Sequence, residues 1–224
     1  TERADRRELS NLAKMHNVPL IDDLGSGLLH RAPNVPWRQE LEREDSMAEA
    51  IRDGVDLVCA SGDKLLGGVQ AGLIVGRADL IEQCRRHPLY RALRLDKMIL
   101  AGLEATLQIH LEGRASDLPV WQYLERTQEE CRLLAKEITQ RMSRPDVTMR
   151  EDVSLVGGGA SPDRVLPTWV IEISTANPEG VSHALRTGCP AIMTRIRRDH
   201  IVLDFRTVEA TDLEAIYTRI VECV

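Results

Sequence analysis

The chain has 224 residues, 43% of them hydrophobic and 29% charged, with a formal net charge of −6. That balance excludes a low-complexity or disordered chain and a surface that coats nucleic acid over its whole extent. With no apolar run of membrane-spanning length and no signal-peptide pattern at its start, the chain is expected to be cytoplasmic. Aromatic residues are only 3%, so the core must come from Leu, Ile, Val, Ala and Met. The five cysteines (Cys59, Cys84, Cys131, Cys189, Cys223) form no CxxC pair and are expected as buried reduced thiols. The six histidines form no HxH or HxxxH pair, and no metal site is expected.

In chain order, the opening segment through Asn17 carries Leu9, Leu12 and Met15 at helical spacing against a polar face. VPLIDD, residues 18–23, reads as a strand buried on both faces. Residues 28–43 read as irregular, with Pro33, Pro36 and Trp37; Asp45 then caps a helix through Asp53, ended by Gly54. A second strand at 55–60 completes a βαβ unit, which makes the two strands parallel and puts Asp23 and Ser61 at one carboxyl edge. The connection to the next strand, 71–76, is too short for a helical crossover, so that pair is expected antiparallel. Helices follow at 78–87, stopped by Pro88, and at 91–111, with Met98, Leu100, Leu103, Leu107 and Leu111 as apolar faces. GRASDLP, 113–119, reads as a boundary between a first domain, 1–112, and a second, 113–224. The second domain opens with one amphipathic helix, 121–143, followed by strands near 147–155, 165–173, 190–196 and 200–205 and a helix at 211–222. Helix, strands and helix in that order predict a compact α+β domain. Three strands are few for a doubly wound sheet, so the chain is expected to be the C-terminal part of a longer protein or a truncated one.

The segment SGDKLLGG, 61–68, carries the main chemical signal. Lys64 would stand at the carboxyl end of a core strand, where a lysine in an apolar site forms a Schiff base. Pyridoxal phosphate (PLP) needs such a lysine, an anion for its ring nitrogen and donors for its phosphate. Asp23 is placed to supply the anion and Ser61 a donor, while Gly67 and Gly68 let backbone approach a ligand closely. Asp63, next to the lysine, could move a proton or hold Lys64 in position. Each residue also has a bland reading: a solvated surface lysine, a cap or loop acceptor, a turn hydroxyl, glycines that only serve the hairpin. Arg91 and Arg94, at i and i+3, would point the same way on a helix and suit a tetrahedral oxyanion, or form a solvated basic face.

DLGSG (23–27), SGDKLLGG with Gln70 and Gly72, HPLYRALRLDKM (87–98), LEATL (103–107), VGGGASPDRVLPT (156–168) and the segment 190–209 together resemble the bacterial selenocysteine synthase family, the L-seryl-tRNA(Sec) selenium transferases. Val69 stands where that family has a proline, and Thr194 where it has a glycine. The resemblance implies an α/β chain: part of a fold-type-I PLP-dependent large domain, with a mainly parallel sheet, plus an α+β C-terminal small domain. It implies PLP on Lys64, Asp23 against the pyridinium nitrogen, Asp63 assisting catalysis and selenophosphate on Arg91 and Arg94. The implied reaction converts seryl-tRNA(Sec) to selenocysteinyl-tRNA(Sec) through an aminoacrylyl-tRNA, in a ring-shaped homo-oligomer. Two other readings stand beside it. One is a related PLP-dependent lyase or aminotransferase, with Arg195 or Arg206 clamping a free carboxylate; the other is an inactive assembly subunit.

Overall fold

The computed structural model describes residues 4–30, 44–156 and 165–224. Residues 31–43 of the stretch expected to be irregular, 28–43, and residues 157–164 of the segment VGGGASPDRVLPT, 156–168, lie outside the described residues. The chain divides into two compact units, one ending at Glu125 and the other built from Arg126–Val156 and Val165–Val224.

In the first unit, α1 (Arg6–Met15) starts where the Asp5 side chain accepts from the amides of Arg7 and Glu8. It docks through polar contacts: Arg6 pairs with Asp22 and Asp45, and Ser10 Oγ donates to the Gly54 carbonyl at 2.9 Å. Ser10 and Ala13 are the buried positions, while Leu9, Leu12 and Met15 face outward, Met15 being 81% exposed. The leucine stripe therefore marks the helix correctly but not its buried side. Strand β1 (Ile21–Gly25) runs parallel to β2 (Leu57–Ser61), and β2 pairs antiparallel with β3 (Gly72–Gly76). The sheet, in the order β1-β2-β3, is thus mixed rather than mainly parallel. The ten residues between Ser61 and Gly72 are too few to cross back over the sheet. No residue of β1 is buried, against the expectation of a strand covered on both faces. Among the described residues β1 pairs on one side only, and Met47 and Ala50 of α2 (Met47–Arg52) pack with Val55 and with Val58 and Ala60 of β2. The cap of α2 is Ser46, in a reciprocal box with Glu49, rather than Asp45, whose carboxylate is held by Arg6.

Helix α3 (Ala78–Arg86) ends before Pro88 as expected. The long helix expected from 91 is two: α4 (Pro88–Ala92) and α5 (Lys97–Leu111). Asp96 starts the second by accepting from the amides of Met98 and Ile99. Its buried residues are Thr106 and His110, while Met98, Leu100 and Leu111 are exposed. The helix expected at 121–143 also divides, into α6 (Pro119–Glu125) and α7 (Gln128–Met142). Thr127 and Glu130 form a capping box that restarts the backbone at that point.

The second unit pairs β4 (Val147–Leu155), β5 (Val165–Ser174), β6 (Arg195–Arg197) and β7 (His200–Asp204) in the antiparallel order β4-β5-β7-β6. The strand expected at 190–196 is reduced to the three residues of β6. Helix α8 (Pro178–Thr187), absent from the sequence reading, is capped by Asn177 with Pro178 at its first turn. With α7 and α9 (Leu213–Cys223), it closes a core in which Ile138, Ile171, Leu185, Ile201, Phe205 and Ile220 are essentially inaccessible. Of the five cysteines only Cys131, in that core, is buried; Cys189 is exposed and the other three are half-buried.

Candidate active site around Lys64

Strand β2 delivers the chain to the carboxyl edge of the sheet, and a tightly tied loop follows. The Gly62 amide donates to Ala71 O and the Gly68 amide to Gly62 O, both at 2.8 Å, which closes the loop at its base. Leu65 N donates to Ser26 O at 2.8 Å, joining the loop to the turn after β1. Leu65 and Leu66 are buried, so the backbone that follows Lys64 is anchored in apolar surroundings. At Gly27, with φ +75°, a Cβ would lie 2.2 Å from Ser61 O; only glycine allows the two turns to approach this closely.

Lys64 itself is half-buried. Its Nζ lies 3.7 Å from where a Cβ on Gly25 would be, directly over the end of β1 and two residues beyond Asp23. Asp23 therefore sits two residues inside the strand rather than at its last position. It is in register with Cys59 of β2, which is in register with Ile74 of β3, so these three share a sheet face. Ser61, two residues past Cys59, lies on that face at the strand end. Burial pushes the Cys59 thiol up, with further contributions from Asp23 and from Cys84. Neither Lys64, Asp23 nor Asp63 forms an ion pair among the described residues. The sheet edge thus gathers Asp23, Ser61, Lys64, Gly67 and Gly68, with Asp63 exposed beside the lysine.

These residues fit PLP: a carboxylate on β1 and an amine on the loop that follows the parallel neighbour β2, with the amine close to Gly25 at the end of β1. Lys64 would hold its carbonyl carbon and Asp23 its ring nitrogen. The arginine pair is arranged differently from expectation. Arg91 lies in the last turn of α4, but that helix ends at Ala92, so Arg94 is in the segment beyond it and the shared-face argument does not apply. Both are exposed.

Sequence reasoning passed over the supports of the loop. A Cβ on Gly67, with φ +77°, would fall 2.8 Å from Val120 Cγ1, and one on Gly68 would fall 3.1 Å from Thr106 Oγ1. His110 Nε2 lies 2.8 Å from Leu66 O. The available signal was two polar residues, Thr106 and His110, four apart and so on one helix face. Among the described residues no helix is long and apolar enough to cross a membrane.

The family model described as L-seryl-tRNA selenium transferase matches residues 1–209. The chain belongs to this family. The L-seryl-tRNA(Sec) selenium transferase of Aquifex aeolicus is 36% identical over 220 residues, covering 96% of this chain and 48% of the relative. That of Desulfovibrio desulfuricans is 39% identical over 217 residues, covering 92% and 45%. The chain therefore spans about half the length of the curated relatives it matches. Among solved structures, D-glucosaminate-6-phosphate ammonia-lyase aligns with a TM-score of 0.61 over 99% of this chain and 53% of that one, at 21% identity. That likeness extends to the fold alone.

Arg195 and Arg206, the candidates for a carboxylate clamp, are both engaged. Arg206 is buried and donates to Arg126 O at 2.5 Å and to Pro167 O. Burial lowers its pKa, the desolvation outweighing nearby Asp204 and Glu130. Arg195 pairs with Asp204 at 3.3 Å and Asp152 at 3.7 Å.

Proposed function

We propose that this chain carries the cofactor lysine of a selenium transferase that converts seryl-tRNA(Sec) to selenocysteinyl-tRNA(Sec) with selenophosphate. The observation that carries the reading is the position of Lys64 Nζ over the end of β1, on the strand that bears Asp23. Membership of the selenium transferase family over residues 1–209 supports the same assignment.

When bound, PLP supplies an electron sink for the carbanion at the seryl Cα. Lys64 would hold the cofactor through Nζ and, when freed, would take the Cα proton there. Asp23 would keep a proton on the ring nitrogen by accepting a hydrogen bond from it. Ser61 would donate its hydroxyl to the cofactor phosphate, and Gly67 and Gly68, whose amides are spent within the loop, would let the backbone approach the ligand closely. Asp63, exposed beside Lys64, steers the proton that leaves with the seryl hydroxyl as water. Arg91 and Arg94 would bind the oxyanion of selenophosphate, whose selenium adds to Cβ while water cleaves the P–Se bond and phosphate leaves. A cytoplasmic homo-oligomer completes the reading.

The test is turnover of seryl-tRNA(Sec) with selenophosphate by the protein at its full natural length. Lys64→Ala should abolish product, and Arg91→Ala should raise the KM for selenophosphate without changing cofactor binding. Product formation by Lys64→Ala at the wild-type rate would overturn the assignment.

A further inference from the structure

We infer that His110 is a positioning residue for Lys64, acting through the single peptide group between Leu66 and Gly67. The carbonyl of that group, Leu66 O, faces His110 Nε2 at 2.8 Å. A carbonyl only accepts, so Nε2 bears the proton. The amide of the same group, Gly67 N–H, donates to Lys64 O at 2.9 Å. One rigid plane therefore joins the imidazole to the backbone of the lysine.

The surroundings make this bond consequential. His110 is only 6% exposed and Leu66 is fully buried, so the carbonyl has no water to turn to. The ring is held by Trp121, whose centroid is 6.5 Å away in an edge-on contact. Gly67 has φ +77°, a conformation that leaves its peptide free to rotate unless something outside the loop fixes it. Without the imidazole, the buried carbonyl would gain by turning away from its apolar pocket. That rotation breaks the Gly67–Lys64 hydrogen bond and releases the turn that aims Nζ over Gly25. Thr106 and His110 are the buried residues of α5, while Leu100 and Leu111 are exposed and Leu103 and Leu107 half-buried, an arrangement this duty explains: Thr106 seats Gly68, and His110 orients the next peptide back.

The inference rests on Lys64 being the cofactor lysine, and its test separates the two. In the full-length protein without cofactor, His110→Phe keeps the ring volume but loses the donor. Its Gly67 amide should exchange with solvent about tenfold faster, the size expected for one buried hydrogen bond. His110→Gln returns an N–H near the Nε2 position and should stay within about twofold of wild type. With PLP added, His110→Phe should bind more weakly, with altered visible circular dichroism, and His110→Gln should restore both. In the wild type, imidazole 15N shifts should report the Nε2-protonated tautomer, a reading that needs no variant. An Nδ1-protonated ring, unchanged Gly67 exchange in His110→Phe, unchanged cofactor binding there, or failure of His110→Gln to rescue would each overturn the inference. Undiminished PLP binding by Lys64→Ala would instead refute the cofactor assignment.

Discussion

The two units of this chain dock their helices differently, and the difference follows what each has to do. The second unit closes an apolar core of Ile, Leu, Val and Phe205 between one face of an antiparallel sheet and α7, α8 and α9. The first unit docks α1 through Ser10, Ala13 and Arg6 and α5 through Thr106 and His110, while Leu9, Leu12, Met15, Met98 and Leu111 face outward. Hydrophobic burial scales with area and is indifferent to direction. Hydrogen bonds are directional, and a loop that must aim one amine needs them. The second unit is built for stability and the first for placement.

The sharpest way to break this contrast is in the second unit. Phe205→Ala removes a fully buried ring and should lower that unit's unfolding free energy by about 3–5 kcal/mol. Calorimetry and residue-resolved exchange should show the loss in α7, α8 and α9, with the Lys64 loop spared; equal loss at Gly67 and Gly68 would merge the two units. In the first unit, Gly67→Val combines a left-handed φ with a Cβ 2.8 Å from Val120 Cγ1. It should cost about 1–3 kcal/mol and weaken PLP binding, measured by absorbance titration. A smaller effect is expected at Asp56, which accepts from Leu20 N and Arg77 Nη1 and so ties β1 to the end of β3. The backbone bond from Leu20, then Arg77, holds its carboxyl below the ordinary aspartate value. Its stabilisation is complete above about pH 3.9 and disappears as pH falls through the lower folded-state value. Asp56→Asn should therefore lower the first unit's Tm at neutral pH and match wild type in strong acid. The smallest effect belongs to Arg197→Gln. Arg197 pairs with Asp152 at 2.8 Å and Glu172 at 3.4 Å on a solvent-accessible sheet face. The change should cost under about 1 kcal/mol, and less in high salt.

The sequence made visible those features that depend on local order. The direction of each pairing around β2 followed from connection lengths, and the gathering of Asp23, Ser61 and Lys64 at one edge followed from the βαβ rule. The capping box at Thr127 and Glu130 and the cap at Asp96 were also written in the chain. They went unread because the apolar spacing runs through both breaks. The buried sides of α1 and α5 were not legible from periodicity, because tertiary hydrogen bonds to Gly54 O and Leu66 O outweigh the leucine stripes. The same cause hid His110, whose partner is a backbone carbonyl 44 residues away. The Arg91 and Arg94 argument presumed a helix that ends one residue after the first arginine.

The central claim is that the amine at position 64 carries the cofactor, and one chemical step reads it directly. The full-length protein is incubated with PLP, reduced with borohydride, digested and mapped by mass. The account predicts a phosphopyridoxyl group on the peptide that contains Lys64, and none on Lys14, Lys97 or Lys136. A label on any of those three, or an unmodified Lys64 in protein that has retained the cofactor, would contradict it.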